Sequence, residues 1–205
     1  MNYNDYKKSR DLSWQILIDQ NITELPVQIA QICDSIGIKC IGYSRARKLL
    51  SFAGLEHHCN DTDGFTLNDI IFYNDVAINR QRQRFTIAHE LGHIVLEHGR
   101  SFTNREPDPF DAPEESEANI FASRLLAPAC VLWGCKVTEV EQIAKLCDIS
   151  LASAEFRKDR LQKLYERERQ FLITHGRSCF LMNPLEQRVY AQFSNYITTH
   201  RCRPS

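Results

Sequence analysis

No apolar run in this 205-residue chain approaches the roughly 18 residues that would suggest a membrane span. Its first residues, MNYNDYKKSRDLSW, interrupt every apolar stretch with charges and amides. Neither the hydrophobic region of a secretory signal nor an Arg-rich, acid-poor presequence is therefore expected, and the expected location is the cytoplasm. An excess of charge is missing too. Lys and Arg total 25 against 26 Asp and Glu, a formal charge of -1, which leaves no electrostatic footprint for nucleic acid. The eight cysteines contain no CxxC pair, which argues against a cysteine zinc ribbon. Scattered thiols in a reducing compartment behave mostly as small buried hydrophobes. Internal repeats and low-complexity tracts are also lacking.

What is present is an ordinary globular composition, 43% hydrophobic and 25% charged, long enough for a genuine core and a small second module. From Ser13 to Ile36 the apolar residues fall at mostly helical spacing, broken near Leu25-Pro26, so two helices are expected. Ile38 to Ile41, Phe65 to Leu67 and Asp69 to Tyr73 read as short strands of a small antiparallel sheet, with Glu56 to Gly64 as a loop. Residues 79 to 97 turn helical. A polar loop with Pro107, Pro109 and Pro113 follows, and then a helix opening at Pro113-Glu114-Glu115 and ending at Leu126, before Pro128. Thr138 to Tyr165 reads as two helices separated near Asp148-Ile149-Ser150, and Ser178 to Phe193 as a terminal strand or short hairpin. The expected class is α+β, with a core over 1–130, a helical segment over 131–172 and a C-terminal extension of open role over 173–205.

The chemistry concentrates in RFTIAHELGHIVLEH, residues 84 to 98. Residues four apart on a helix share a face, so His89 and His93 can direct two imidazoles at one ion. A catalytic zinc takes three protein ligands and leaves a fourth position for water, and Glu90, between the two histidines, can reach that water as its base. With 7 His and 14 Glu in the chain, chance produces HExxH in roughly 2% of sequences of this composition. Context must therefore supply the third ligand.

The downstream helix offers it. Glu117 borders the apolar stripe Ala118, Phe121, Ala122 and Leu125, and Glu114 lies one turn earlier; both are credible, with Glu117 ahead on the helical-face argument. Glu115 is expected to point to the far side. Glu97 shares a face with His93 but would strain tetrahedral convergence. Asn119 could hold a ligand histidine or serve the helix surface.

The strings IIFYND, RFTIAHELGHIVLEH and EANIFASRLLAP, in this order, resemble the ImmA/IrrE family of metallo-endopeptidases over roughly residues 25 to 165. The resemblance implies a zincin-like, thermolysin-like core followed by a helix-turn-helix-like segment, one zinc ion per chain, and transcriptional repressors as substrates. It also implies Glu117, immediately before Ala-Asn, as the third ligand beside His89 and His93. One departure is LLAP, where the family usually has Met before the proline.

Other features carry less. The segment from Val140 to Leu161 looks like a helix-turn-helix, yet Leu151, Ala152, Glu155 and Phe156 occupy the expected reading positions. Eight Lys/Arg face seven Asp/Glu between Lys136 and Gln170, so packing or protein recognition is favoured over direct DNA binding. His57-His58-Cys59 reads as a solvated loop, Arg80, Arg82 and Arg84 as a solvated face, and His98, His175 and His200 form no constellation. The leading expectation is a zinc endopeptidase that cleaves a protein, with a helix-turn-helix repressor as the expected partner. The alternative is a metal-containing regulator acting by DNA or partner binding with little proteolysis.

Overall fold

The computed structural model describes residues 3–98, 112–176 and 183–202. Pro107, Pro109, Cys179 and the first part of the expected terminal strand lie outside the described residues. The chain forms two compact units, Met1–Leu12 with Gln28–Ala122, and Ser13–Val27 with Ser123–Ser205.

The first unit takes the start of α1 (Tyr3–Asp19), then α2 (Ile29–Ser35), β1 (Lys39–Gly42), α3 (Tyr43–Phe52), α4 (His58–Asp61), β2 (Gly64–Leu67), β3 (Ile70–Tyr73), α5 (Arg80–Val95) and most of α6 (Ala112–Leu126). The strands form one sheet in the order β1-β3-β2. It is mixed rather than antiparallel: Phe65 of β2 faces Phe72 across an antiparallel pair, while Cys40 of β1 faces Ile71 across a parallel one. A parallel partner needs a long crossover, and the segment carrying α3 and α4 supplies it. α4 lies within Glu56 to Gly64, a stretch whose composition is that of a loop.

β3 is central and apolar on both faces. Phe72 packs with Tyr43, Ala46 and Leu50 of α3 and with Cys59, and Ile71, its side chain on the opposite face, is equally buried. Burying such a side chain contributes about 1.5–3 kcal/mol, enough for IIFY to fix the register of both neighbours. α5 packs against β2 and β3. Asn79 caps it by accepting a hydrogen bond from Arg82 N at 2.9 Å, which fixes where the motif helix begins. Arg84, expected on a solvated face, is buried, whereas Arg82 is exposed and pairs with Asp63.

α5 and α6 meet almost backbone to backbone. A Cβ placed on Gly92 would stand 3.2 Å from Ala118 Cα, 3.3 Å from its carbonyl oxygen and 3.1 Å from Phe121 Cδ1. Glycine there is a matter of space.

The second unit holds α7 (Ala129–Gly134), α8 (Val140–Cys147), α9 (Leu151–His175), α10 (Pro184–Gln192) and α11 (Ser194–Thr199). α8 and α9 pack together across a three-residue turn, with Asp148 in the left-handed region at φ 51° and Ser150 Oγ accepting from Ser153 N at 3.2 Å. Leu151 and Phe156 of α9 are exposed. The terminal strand expected to end at Phe193 is instead a helix where it is described. Asn183 Oδ1 caps Leu185 N at 2.8 Å, Pro184 opens the first turn, and Val189, Phe193, Tyr196 and Ile197 are buried at helical rather than alternating spacing. Gln192 Nε2 donates to Leu17 O at 2.8 Å and also to Ile22 O, tying α10 to the end of α1.

Among the described residues no helix is long and apolar enough to cross a membrane, and seven cysteines are free thiols.

The close approach at Gly92 yields a test of the fold. Gly92→Val should lower stability by about 1–3 kcal/mol, the usual cost of overpacking a filled contact. Chemical denaturation of the metal-free protein reads it, and an unchanged midpoint would contradict the approach described.

Candidate metal centre

α5 presents His89, Glu90 and His93, and α6 presents Glu115, Glu117 and Asn119. Both histidines turn their Nε2 atoms to one point, 3.0 Å apart. The carboxylate that closes the group is that of Glu115: one oxygen stands 3.2 Å from His89 Nε2 and the other 3.2 Å from His93 Nε2. Among the described residues His89, His93 and Glu115 form a cluster able to hold a metal ion.

Glu117, expected as the third ligand, sits elsewhere, with its Oε2 3.3 Å from His98 Nε2. Glu115, expected to point away, is the residue brought to the histidines. The reason lies in the two borders of the buried stripe. At about 100° per residue, Glu115 falls beside Ala122 and on the face of Asn119, four residues on, whereas Glu117 falls on the opposite border, beside Phe121. Asn119 Oδ1 is 3.0 Å from His89 Nδ1, so the Glu115/Asn119 border is the one that addresses His89. The Glu115-x-x-x-Asn119 spacing is the signal in the sequence that points to this border. Glu97 is exposed and lies beyond the end of α5.

Both imidazoles are set in one tautomer by their neighbours. Asn119 Oδ1 accepts the Nδ1–H of His89, leaving its Nε2 lone pair free. His93 Nδ1 lies 2.9 Å from His98 Nδ1, and His98 Nε2 faces the Glu117 carboxylate. A carboxylate only accepts, so His98 carries its proton on Nε2, its Nδ1 accepts from His93, and the Nε2 lone pair of His93 is also free. Two lone pairs and an anion thus point at one another. Such a donor set is repulsive by itself and fits a cation: ligands about 2.0–2.1 Å from a tetrahedral zinc lie about 3.3–3.4 Å apart, close to the 3.0–3.2 Å seen here.

With no ion between them the same three groups compete for protons: when the rings are protonated at Nε2, His89 and His93 donate to Glu115 and hold its carboxyl far below the usual range. Burial pulls the His93 imidazole down, but in its protonated form the hydrogen bond to Glu115 and the charges of Glu90 and Glu115 outweigh burial, so its pKa is raised and a cation at this point displaces that proton.

Glu90 lines the same cleft as His89 and Glu115 and is held from the side of the sheet. Thr66 Oγ1 of β2 donates to Glu90 Oε2 at 2.9 Å. Burial raises the Glu90 pKa, opposed by the Thr66 hydrogen bond and then by His89 and His93. β2 comes near enough to do this because Gly64 has no Cβ to strike Thr86 of α5 or the carbonyl of Phe72.

His89, Glu90, Glu115 and Asn119 line a cleft of about 580 Å³ whose other walls include Asp61, Asp63, Arg82 and Phe85. Arg82 is engaged by Asp63 at 2.5 Å. His57, His58 and Cys59 take no part in the cluster.

Comparison with known proteins places this site in a family. The model for Peptidase_M78, described as the IrrE N-terminal-like domain, matches residues 45–157, a span that contains every residue of the site. Among curated proteins there is no significant match.

The Thr66 bond gives a direct check on Glu90. Thr66→Val keeps the shape and removes the donor to the ionised carboxylate, so the Glu90 titration midpoint should rise. Carboxyl-carbon NMR of the full chain measures it. A midpoint that stays or falls would contradict the assignment.

Proposed function

Since the chain belongs to the ImmA/IrrE family of metallopeptidases, we propose that it is a zinc-dependent, gluzincin-like endopeptidase with His89, His93 and Glu115 as ligands and Glu90 as general base. The observation that carries the reading is the convergence of His89 Nε2, His93 Nε2 and the Glu115 carboxylate on one point, in a cleft that Glu90 also lines. When bound there, zinc supplies a Lewis acid that acidifies water and polarises a carbonyl.

The chain's own residues do the rest. Glu90 accepts the proton of the attacking water and returns it to the leaving amine, so its charge is restored at the end of the cycle. Its burial raises its affinity for that proton, while Thr66 keeps the anion accessible, which brings the group nearer to neutral pH than an exposed glutamate. Asn119 holds the ring of His89.

A peptide fits the surroundings. β2 is an edge strand of the sheet, Gly64 at its start lines the cleft, and an edge strand offers unpaired N–H and C=O groups to an extended chain. The family resemblance supports a helix-turn-helix repressor as the protein cleaved and a zincin-like fold for the core. It is consistent with a cytoplasmic address.

Two measurements test this. Purified protein should carry close to one zinc, and His93→Ala and Glu115→Ala should lose most of it, because two ligands hold zinc poorly. Zinc retained in full by Glu115→Ala would return the third position to another carboxylate. Glu90→Gln should keep zinc, yet cleave a co-expressed repressor at least about 10²-fold more slowly, the low end for loss of a general base. Cleavage at the parent rate would exclude the mechanism.

A further inference from the structure

The Glu117–His98 pair lies behind His93, and the chain makes a specific turn to place it there. α5 ends at Val95, two residues beyond His93. Glu97 then adopts the left-handed region at φ 59°, and His98 N folds back to donate to His93 O at 3.1 Å. A non-glycine residue in that region costs about 1–2 kcal/mol. What the turn gains is the position of the His98 ring. On a continued helix that residue would lie about 140° around the axis from His93, out of its reach.

The pair is also largely shielded from solvent, with the His98 and Glu117 side chains 7% and 15% exposed. Buried polar groups are stable only when partnered, and here each is partnered toward His93. The contact between His93 and His98 joins Nδ1 to Nδ1, so only one ring can supply the proton. Which one does so is decided from the far end. With Glu117 accepting from His98 Nε2, His93 must donate and keeps its Nε2 lone pair for an ion. If His98 held its proton on Nδ1 instead, His93 would carry its own on Nε2 and lose the lone pair.

We propose that His98 and Glu117 are positioning residues that act in series, Glu117 through His98, to fix His93 in the tautomer and orientation that bind the metal. Glu117 thereby controls metal affinity without touching the ion. This inference rests on the metal-binding reading of the site, and its test separates the two.

Zinc dissociation constants of the full-length chain are measured by competition with a chelating dye for the parent, Glu115→Ala, Glu117→Ala, His98→Ala, the His98→Ala/Glu117→Ala double variant and Glu117→Gln. Long-range proton–nitrogen NMR of the zinc-loaded protein reports which nitrogen of each ring carries hydrogen. The expected result is an affinity about 10- to 100-fold weaker in both single variants, with the double variant no weaker than either. Glu117→Gln should recover most of the loss, because its amide oxygen still accepts from His98 Nε2. In the parent, His93 should carry hydrogen on Nδ1 and His98 on Nε2. A purely structural defect would not produce the recovery or that ring pattern.

Losses in the two single variants that multiply in the double would overturn the serial arrangement. Affinities within about twofold of the parent in either single variant would overturn the proposal outright. Loss of zinc in Glu117→Ala as complete as in Glu115→Ala, with His98→Ala unaffected, would make Glu117 a ligand. A parent that binds no zinc would remove the proposed function and this inference together, whereas every other overturning result leaves the metal centre standing.

Discussion

The close approach of α5 and α6 at Gly92 and Ala118 is the constraint from which the site follows. It sets Asn119 against His89 and Glu115 against both histidines, and it brings Glu117 to the end of α5. The sensitivity is a matter of scale. Metal–ligand distances tolerate about ±0.2 Å, and a side chain at Gly92 would force its neighbours to move by a comparable amount. Helix packing and donor geometry are therefore one requirement.

Charge is the second organising quantity. With neutral imidazoles, Glu90, Glu115 and Glu117 place three negative charges around three rings. A divalent cation would offset two of them. The three anions are kept apart by function and by partner: Glu115 faces the Nε2 atoms, Glu117 is screened behind His98, and Glu90 turns to Thr66 on the strand. The opposite displacements of the Glu90 and Glu115 carboxyls follow from this arrangement, one dominated by burial and the other by imidazole partners.

The parts of this centre that obey a helical period are legible in the amino-acid sequence. His89, Glu90 and His93 fall within one turn, and Asn79 and Pro128 bound α5 and α6 by local rules. Glu115 is not legible in the same way, because an apolar stripe has two borders and pattern alone does not say which one a neighbouring helix will meet. His98 is hidden for a different reason: an offset of five is no helical neighbour, and only the left-handed turn at Glu97 makes it one. The sheet's small size is readable and its parallel pair is not, since pairing direction depends on where a crossover returns. At the C-terminus, apolar residues between Ser178 and Phe193 suggest alternation, but Asn183-Pro184 is a helix start, and the packing of Val189 and Phe193 follows it.

The bonds from Gln192 to Leu17 and Ile22 bear on how the chain matures. They span 175 and 170 positions, so the end of the first helix finds this partner only after α10 has left the ribosome. Residues 13–27 belong to one unit with residues 123–205, although they are made long before them. An N-terminal fragment stopping after α6 lacks most of the unit in which Trp14 and Leu17 are buried. Emerging copies would share that apolar surface until the tail arrives, a window in which a folding helper or slow elongation would favour yield.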